Sequence, residues 1–270
     1  MNEIQKVEFE ALKAIVKVCD ENNIDYMIAA GTLLGAVRHG GFIPWDDDID
    51  LLMTAENYKK FIQIGQEALG EKYFVQNCET EFNYYELWTQ VRVINTTSMP
   101  IMYKKWDINW GVSIDIFPII DLPDRSQDRK KLKKYFDWHR LLLIDEFYKS
   151  TGEKIPWKLK FLYSIPRSIR KTICRKLDDY IILSKPDCSR VAGVWYKLVE
   201  FPKTVFEGRT FVEFEGERFK TMKNYSEYLK QNYGDYMQLP PENQRTGHNS
   251  TLGDIIYDTE KSYEFYKERL

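Results

Sequence analysis

The chain has 270 residues, 39 Lys and Arg against 41 Asp and Glu, a formal net charge of −2, and 43% hydrophobic residues. This apolar content excludes an intrinsically disordered protein, and the near-balanced charge provides no overall field that would attract nucleic acid. The four cysteines, Cys19, Cys78, Cys174 and Cys188, form no CxxC pair, so we expect reduced and mostly buried thiols.

The amino-terminal segment lacks the features of an export signal. It carries acidic residues throughout, whereas a secretory signal has a basic start followed by an unbroken apolar stretch. The longest apolar runs, such as residues 141–144 and 180–183, are far shorter than the roughly 20 residues that span a bilayer. The sequence therefore predicts a cytoplasmic protein that does not cross a membrane.

Hydrophobic periodicity predicts a mixture of helices and strands in the first 120 residues. Apolar residues from Ile4 to Cys19 recur at three- and four-residue steps, which predicts an amphipathic helix that ends at Asn22-Asn23. The other elements predicted here are a strand over 24–30, a Gly31-Thr32 turn, a helix ending at Gly40-Gly41, a strand from Asp48 onward with one wet and one buried face, a helix over 54–69, and strands over 72–78, 86–95 and 110–117.

The remainder of the chain is predicted to be mainly helical. We expect a charged helix over 126–149 and a second helix over IRKTICRKLDDYIILS. Residues 209–220 predict a hairpin that turns at Glu-Gly, and a last helix is expected to end near Gly234. The predicted fold class is α+β, with a mixed β-sheet flanked by helices. We place a domain boundary near residue 124, between a catalytic core over 1–124 and a mainly helical region over 125–270.

Residues 31–51, GTLLGAVRHGGFIPWDDDIDL, carry the densest functional signal. Four aspartates in five positions repel one another, and folding alone gives no reason to keep them together. Alternation along a strand places Asp48 and Asp50 on one face, joined by Asp46 if the strand begins that early. Such carboxylates suit Mg²⁺, which binds through one or two protein carboxylates together with substrate phosphates, and Mn²⁺ accepts the same oxygen ligands.

The surroundings of the aspartates favour a site over the alternative of a solvated acidic turn. A Gly31-Thr32 turn that opens a helix offers backbone N–H groups to a phosphate. Asp115, on a later strand, supplies a third carboxylate, and three carboxylates can hold two ions that stabilise both the attacking and the leaving oxygen of a displacement at phosphorus. We therefore predict that the metal ligands and catalytic residues are Asp48, Asp50 and Asp115.

The run over 31–51 resembles the signature of the LicD family, within the nucleotidyltransferase (polymerase β-like) superfamily. The resemblance continues through WGVSIDIFPIIDLP, FVEFEGERFK and YLKQNYGDYMQLPPENQR, and so covers most of the chain. In the superfamily pattern, a small-residue turn precedes an acidic-x-acidic strand, and a later strand adds the third metal carboxylate. The resemblance assigns these roles to Gly31 and Thr32, to Asp48 and Asp50, and to Asp115.

The resemblance also implies an activity. LicD-like proteins transfer phosphocholine from CDP-choline to a sugar hydroxyl on bacterial surface glycans, and fukutin-related proteins use CDP-ribitol. A metal-dependent phosphotransferase that releases CMP is thus implied, with a teichoic acid, lipopolysaccharide or capsule precursor on a lipid carrier as acceptor. Three alternatives remain open: another CDP-alcohol donor such as CDP-glycerol, nucleotidyl transfer from ATP or CTP, and a non-catalytic choline- or glycan-binding module.

Aromatic and basic residues near the motif are candidate donor ligands. Choline is a quaternary ammonium that packs against aromatic faces, and Trp45 directly precedes the aspartates. Arg38 and His39, at the end of the predicted helix, are candidates to neutralise a diphosphate. Further rings lie between the acidic strand and the third carboxylate, and most are expected to be ordinary packing: Tyr84, Tyr85, Trp88, Tyr103, Trp106 and Trp110.

Later basic residues complete the predicted binding set. Arg92 lies on the polar face of a predicted strand, and we expect it to point toward the acidic site. Arg245 and His248 lie in PPENQRTGHNS, which we expect to fold back over the donor. His139, in a run of charged residues, is expected to be structural.

The basic segment RKKLKK, residues 129–134, predicts peripheral contact with the inner face of the cell membrane. Its Lys and Arg residues lie beside Tyr135, Phe136 and Trp138, and amphipathic helices with such a composition bind anionic surfaces. A solvated charged face is the alternative.

Overall fold

The computed structural model describes residues 1–183, 188–247 and 253–269. The helices in these ranges are α1 Glu3–Glu21, α2 Ala30–His39, α3 Ala55–Leu69, α4 Ser126–Leu143, α5 Asp145–Thr151, α6 Trp157–Tyr163, α7 Arg167–Leu183, α8 Tyr225–Tyr233 and α9 Tyr263–Lys267. The strands are β1 Met27–Ile28, β2 Ile49–Thr54, β3 Tyr73–Gln76, β4 Thr89–Val93, β5 Thr97–Pro100, β6 Ser113–Leu122, β7 Arg190–Val194, β8 Leu198–Pro202, β9 Arg209–Phe214, β10 Glu217–Met222 and β11 Ile255–Asp258.

A mixed sheet forms the centre of the molecule. Its strands follow the order β1-β2-β6-β4-β3, and β7 and β8 extend it because β7 pairs with the second half of β6. β2 and β6 run parallel, whereas the other neighbouring strands are antiparallel. α1 and α3 pack against this sheet and against each other. The predicted α+β class with a mixed sheet is confirmed.

Helix α1 begins and ends where the sequence predicts. A capping box starts it, since Asn2 Oδ1 accepts a hydrogen bond from the Gln5 backbone and Gln5 Oε1 accepts one from the Asn2 backbone. Asn22 caps its carboxyl end. Its buried face packs into the main core, as the three- and four-residue spacing of apolar positions requires.

The segment from residue 24 to residue 54 differs in detail from the prediction. β1 has only two residues, and α2 begins at Ala30, so Gly31 and Thr32 form its first turn rather than precede it. β2 begins at Ile49, and its first five residues are all buried, so the prediction of one wet face is wrong. The reason is that β2 lies between β1 and β6, where the core covers both of its faces.

The residues after 124 add both helices and strands. α4 and α7 pack against each other, and the charged helix predicted to reach residue 149 is interrupted at Ile144, after which α5 begins. The predicted α7, hairpin β9–β10 and α8, which ends at Gly234, are confirmed. β7 and β8 were not anticipated, and they carry the central sheet across the domain boundary predicted near residue 124. The boundary itself stays a prediction.

The hairpin β9–β10 fixes the turn that follows α2. Its two turn residues, Glu215 and Gly216, have φ of 52° and 80°, the left-handed values that a two-residue hairpin with primed turn geometry requires. The Glu215 backbone N–H donates to the Gly40 carbonyl at 2.9 Å, and its side chain accepts from the Phe42 N–H at 2.9 Å. The second half of the chain therefore helps to position the acidic segment.

Two further expectations concern thiols and membranes. All four cysteines are free, with Cys19 and Cys174 buried and Cys78 and Cys188 partly exposed. Among the helices of the described ranges, none combines the length and the apolar character needed to cross a bilayer.

Candidate active site

A cavity of about 1030 Å³ opens beside the acidic segment. Two groups of side chains line it. The acidic cluster consists of Glu8, Asp46, Asp47, Asp48, Asp50 and Asp115. The aromatic wall consists of Tyr84, Tyr85, Trp88, Tyr103, Trp106, Trp110, Trp195 and Tyr196.

Asp50 and Asp115 lie level with each other on neighbouring strands. The parallel register of β2 and β6 pairs them directly, and such strands are about 4.8 Å apart. Gln90 of β4 is the next residue across the sheet, and its Nε2 donates to Asp115 Oδ1 at 2.7 Å. Strand pairing thus brings together two carboxylates of the predicted triad that lie far apart in the sequence.

Asp46, Asp47 and Asp48 precede β2 and join the same site. One carboxylate oxygen from each lies within 4.8 Å of the other two, which a single cation could bridge. The Asp46 carbonyl accepts a hydrogen bond from Gln5 Nε2 of α1 at 3.0 Å, and Asp47 Oδ2 accepts one from Tyr257 of β11 at 2.9 Å. Three aspartates therefore face the cavity before the strand begins, in addition to the strand residue Asp50.

The first turn of α2 contacts this cluster. A Cβ atom placed on Gly31 would lie 2.5 Å from Asp46 Oδ2, so a larger residue here would displace the Asp46 carboxylate. The Gly31 N–H donates to the Asp50 carboxylate. Thr32 is buried, and its Oγ1 accepts from the Asp50 N–H at 2.9 Å. Thr32 lies outside the cavity lining, and its hydroxyl holds the start of β2, so its contact with substrate stays a prediction.

Burial and mutual repulsion raise the pKa of both central aspartates. For Asp48, burial is the largest cause, followed by the charges of Asp50 and Asp46. For Asp50, burial is followed by Asp115, and the N–H of Gly31 partly opposes the rise in its pKa. Burying several carboxylates together disfavours their ionised forms. A cation such as Mg²⁺, which prefers oxygen ligands, would stabilise the ionised forms again.

Glu8 belongs to the acidic cluster and was missed from the sequence. Its side chain is buried, and Oε2 has no hydrogen-bond partner in the described part of the chain. Burial, followed by the charges of Asp47 and Asp46, raises its pKa well above the usual range. The sequence does contain a signal for Glu8. It lies three and four residues before Ala11 and Leu12, so the helical period places it on the buried face of α1.

Arg92 supports the cluster from behind. Its Nε donates to Gln76 Oε1 at 2.8 Å, its Nη1 to the Gly111 carbonyl at 2.8 Å, and its Nη2 to Gln90 Oε1 at 2.5 Å. Because Gln90 in turn donates to Asp115, the guanidinium reaches the acidic cluster through one amide. Burial lowers the pKa of Arg92, while the Asp115 charge opposes that change. The predicted orientation toward the acidic site is therefore found, but the side chain is engaged with protein groups.

The other predicted ligands gather around Trp45. Arg38 lines the cavity, and its Nη1 donates to two main-chain carbonyls in the segment after α8, at 3.1 and 3.2 Å. The His39 ring meets Trp45 edge-on at 6.2 Å, and the Arg245 guanidinium lies 5.6 Å from the Trp45 ring centroid. His248 lies outside the described residues.

The aromatic wall contains a second acidic feature, Glu86. All six rings between the acidic strand and Asp115, most of which were expected to be ordinary packing, line the cavity, and Tyr196 and Trp195 join them from the segment after β7. Glu86 is only 7% exposed, its Oε2 has no hydrogen-bond partner in the described ranges, and Arg140 Nε lies 4.0 Å away. Burial raises the pKa of Glu86 to about 7, although Arg140 opposes this.

The fold and site define an α+β protein whose carboxylate-rich cavity lies at the parallel strand pair of a mixed sheet. Residues 23–150 match the family described as LicD/FKTN/FKRP, nucleotidyltransferase domain. The chain is also 32% identical over 267 residues to the lipopolysaccharide cholinephosphotransferase LicD of Haemophilus influenzae, covering 92% of this chain and 95% of that protein. The chain therefore belongs to the LicD family.

Shorter matches concern parts of the chain. The ribitol 5-phosphate transferase FKRP of Homo sapiens is 34% identical over 82 residues, which is 29% of this chain and 17% of FKRP. An uncharacterized protein of Rickettsia typhi is 46% identical over 56 residues, 21% of this chain and 18% of that protein.

Proposed function

We propose that this protein transfers phosphocholine from CDP-choline to a hydroxyl of a bacterial cell-surface glycan and releases CMP. Family membership and the full-length similarity to a lipopolysaccharide cholinephosphotransferase support phosphotransfer to a glycan. The choice of CDP-choline as donor rests on one observation. A single cavity contains both the acidic cluster and the aromatic wall, and the buried carboxylate of Glu86 lies among the rings.

The acidic cluster fits one or two Mg²⁺ ions. Asp48, Asp50 and Asp115 would hold them, with Glu8 and Asp46 close enough to contribute charge. One Glu8 oxygen has no partner, and the pKa values of the buried carboxylates are raised. Both features are expected of carboxylates that bind a cation when no cation neutralises their charge. Bound Mg²⁺ would supply neutralisation of the charge that develops on the transferring phosphoryl group.

The residues of the chain position the reacting groups. The acceptor oxygen forms a bond to the phosphorus that bears choline, the bond from that phosphorus to the CMP oxygen breaks, and the hydroxyl proton must leave. We assign Asp115 to bind or deprotonate this hydroxyl, because Gln90 and Arg92 hold its carboxylate in place. Phosphoryl transfer needs little more than such positioning and electrostatic stabilisation.

The aromatic wall favours choline as the head group of the donor. A quaternary ammonium donates no hydrogen bonds and binds through aromatic faces, with each contact contributing about 0.5–2 kcal/mol. Trp88 and Tyr196 meet edge-to-face at 4.9 Å, and Tyr85 stacks on Trp106 at 4.9 Å. Glu86 lies among these rings, and its ionised form would supply the opposite charge. Ribitol, the alternative suggested by the local match to FKRP, carries no cationic group that aromatic faces could bind.

Calorimetric binding tests the donor. CDP-choline, CDP-ribitol, CDP-glycerol, CTP and ATP are titrated into the protein with and without Mg²⁺, and into Asp48→Asn/Asp50→Asn and Glu86→Gln variants. We expect CDP-choline to bind best, to require Mg²⁺ and both aspartates, and to lose roughly tenfold in affinity in Glu86→Gln, whereas CDP-ribitol binding changes little in that variant.

Three other outcomes would each redirect the proposal. Preference for another CDP-alcohol keeps the reaction and replaces the donor. Preference for a triphosphate, with a nucleotide left on the acceptor, indicates nucleotidyl transfer. Choline or glycan binding that is indifferent to Mg²⁺ and to the aspartates indicates a binding module.

A further inference from the structure

The outer sides of α6 and α7 carry exposed apolar side chains. Trp157 and Phe161, one turn apart on α6, are 77% and 81% exposed, more than any other large apolar residue in the described ranges. Ile169 and Ile173, one turn apart on α7, are 52% and 41% exposed. Because residues four apart share one side of a helix, each pair forms an outward apolar surface. We name these four residues the docking face.

The inner sides of the same helices are anchored in the core. Leu162 of α6 packs against the cluster that contains Cys174 of α7, and Leu177 of α7 packs there as well. The Arg170 guanidinium lies 5.1 Å from the Tyr163 ring centroid. The folded state therefore does not depend on the outward residues, and their exposure calls for another explanation.

The docking face lies in a basic stretch of the chain. Residues 154–176 contain eight Lys and Arg residues and no Asp or Glu. Arg167 and Arg170 are buried against Asp145, whereas Lys154, Lys158 and Lys160 are exposed around the aromatic pair. Exposed rings surrounded by lysines are complementary to a surface with an outer anionic layer and an apolar layer beneath it.

We propose that the docking face binds the surface of an anionic lipid bilayer. Trp and Phe side chains would enter the boundary between headgroups and acyl chains, while the three lysines contact the anionic headgroups. A nucleic acid offers no partner for the aliphatic Ile169 and Ile173. A second copy of the chain would bring two equally basic surfaces together, which electrostatic repulsion opposes.

This location differs from the one expected from the sequence, residues 129–134, which stays a prediction. In the segment 129–134 and the residues after it, Leu132 and Phe136 are turned inward and buried. Lys131 lies over the rings of Tyr135 and Tyr180, at 5.6 and 5.2 Å. α4 keeps Trp138 and Leu141 exposed, at 43% and 36%, but both are less exposed than Trp157 and Phe161, so we place the bilayer contact on the docking face and keep α4 as the alternative.

Vesicle sedimentation tests the proposal with matched charge variants. Vesicles of phosphatidylglycerol and phosphatidylcholine are compared with pure phosphatidylcholine at low and high NaCl. We expect binding to the anionic vesicles that weakens with salt. Lys154→Gln/Lys158→Gln/Lys160→Gln should lower the partition coefficient roughly 100-fold, about fivefold for each lysine. Trp157→Ser/Phe161→Ser should lower it at least roughly tenfold.

The control removes the same charge from the other basic helix. Lys130→Gln, Lys133→Gln and Lys134→Gln on α4 are combined in one variant, which should keep nearly full vesicle binding. Equal losses in the two lysine variants, or no binding by the native protein, would overturn the docking face. Binding of an RNA oligonucleotide to the docking face as tightly as vesicles bind would also overturn the proposal. A dimer in sedimentation equilibrium that is dissociated by Trp157→Ser/Phe161→Ser would overturn it as well.

Two measurements separate this inference from the proposed function. The thermal midpoint of every variant should match that of the native protein, because the replaced side chains are exposed. Binding of CDP-choline in solution should also be unchanged, so that loss of vesicle binding cannot be attributed to a damaged cavity.

Discussion

Gly31 decides how closely the first turn of α2 approaches the acidic cluster. A methyl group at this position would meet Asp46 Oδ2 at 2.5 Å, well inside van der Waals contact. The same residue donates its N–H to Asp50, so one glycine contacts two carboxylates. A small displacement here changes the arrangement of several charges at once.

We expect Gly31→Ala to lower the transfer rate by roughly 10- to 100-fold, since a displacement of about 1 Å in an active site has effects of this size. Turnover and thermal unfolding are measured together. The control is the double variant Gly31→Ala/Asp46→Ala. Because Asp46→Ala removes the carboxylate that the new methyl group would meet, the double variant should react no more slowly than Asp46→Ala alone. Full activity of Gly31→Ala would contradict the proposed importance of this contact.

At the scale of elements, α4 and α7 hold the segment 77–88 that carries part of the aromatic wall. Arg167 donates to the carbonyls of residues 82 and 83, at 3.2 Å each, and Lys171 donates to that of residue 81 at 3.4 Å. His139 Nε2 lies 3.1 Å from the carbonyl of residue 85. α4 and α7 therefore position side chains of the cavity without lining it themselves.

His139 links these helices through a buried ion pair. Burial by itself lowers its pKa, but Asp178, whose Oδ1 lies 2.5 Å from Nδ1, and Cys78 raise the pKa well above the usual value. The protonated ring can donate through both nitrogens, to Asp178 and to the main chain of the segment 77–88. The expectation that His139 is structural agrees with this position.

The raised pKa of His139 predicts a pH-dependent contribution to stability. A group whose pKa is higher in the folded than in the unfolded state contributes fully below its ordinary pKa of about 6.5, and the contribution disappears as pH rises through the folded value. His139→Gln should therefore cost about 3 kcal/mol at pH 6 and progressively less at alkaline pH. Urea unfolding between pH 6 and 10 measures this. Asp178→Asn should behave alike, whereas a constant cost across the range would refute the assignment.

At the scale of the whole molecule, charge is unevenly distributed. The chain carries a net charge of only −2, yet eight acidic residues line one cavity, six of them in the acidic cluster. Their mutual repulsion opposes folding, and a ligand that binds only the folded state stabilises it by mass action. The acidic cluster should thus couple the stability of the entire fold to divalent cations.

We expect Mg²⁺ at about 100 times its dissociation constant to stabilise the protein by about 2.7 kcal/mol, or roughly 5–10 °C in the unfolding midpoint. NaCl at matched ionic strength should not have this effect. Asp48→Asn/Asp50→Asn should be more stable than the native protein without Mg²⁺, because repulsion is relieved, and should not respond to the ion. Calorimetric scans that show equal responses in both proteins would exclude these aspartates as ligands.

Local sequence determined the elements whose signals lie within one segment. The ends of α1, the length of α3 and the turn of the β9–β10 hairpin follow from spacing, caps and turn residues that neighbours supply. The predicted triad also came from local information, because the acidic run and the strand around Asp115 could each be recognised separately. Strand pairing then brought Asp50 beside Asp115.

Tertiary structure alone decided which distant residues share the cavity. Glu8 reaches the acidic cluster because α1 packs on the sheet, and Glu86 meets Tyr196 across more than 100 residues of chain because β7 joins β6. The wet side predicted for β2 disappeared, and Leu132 and Phe136 of α4 turned inward, for the same reason. Periodicity specifies which face of an element is apolar, but the element that covers this face is chosen by the packing of the whole chain.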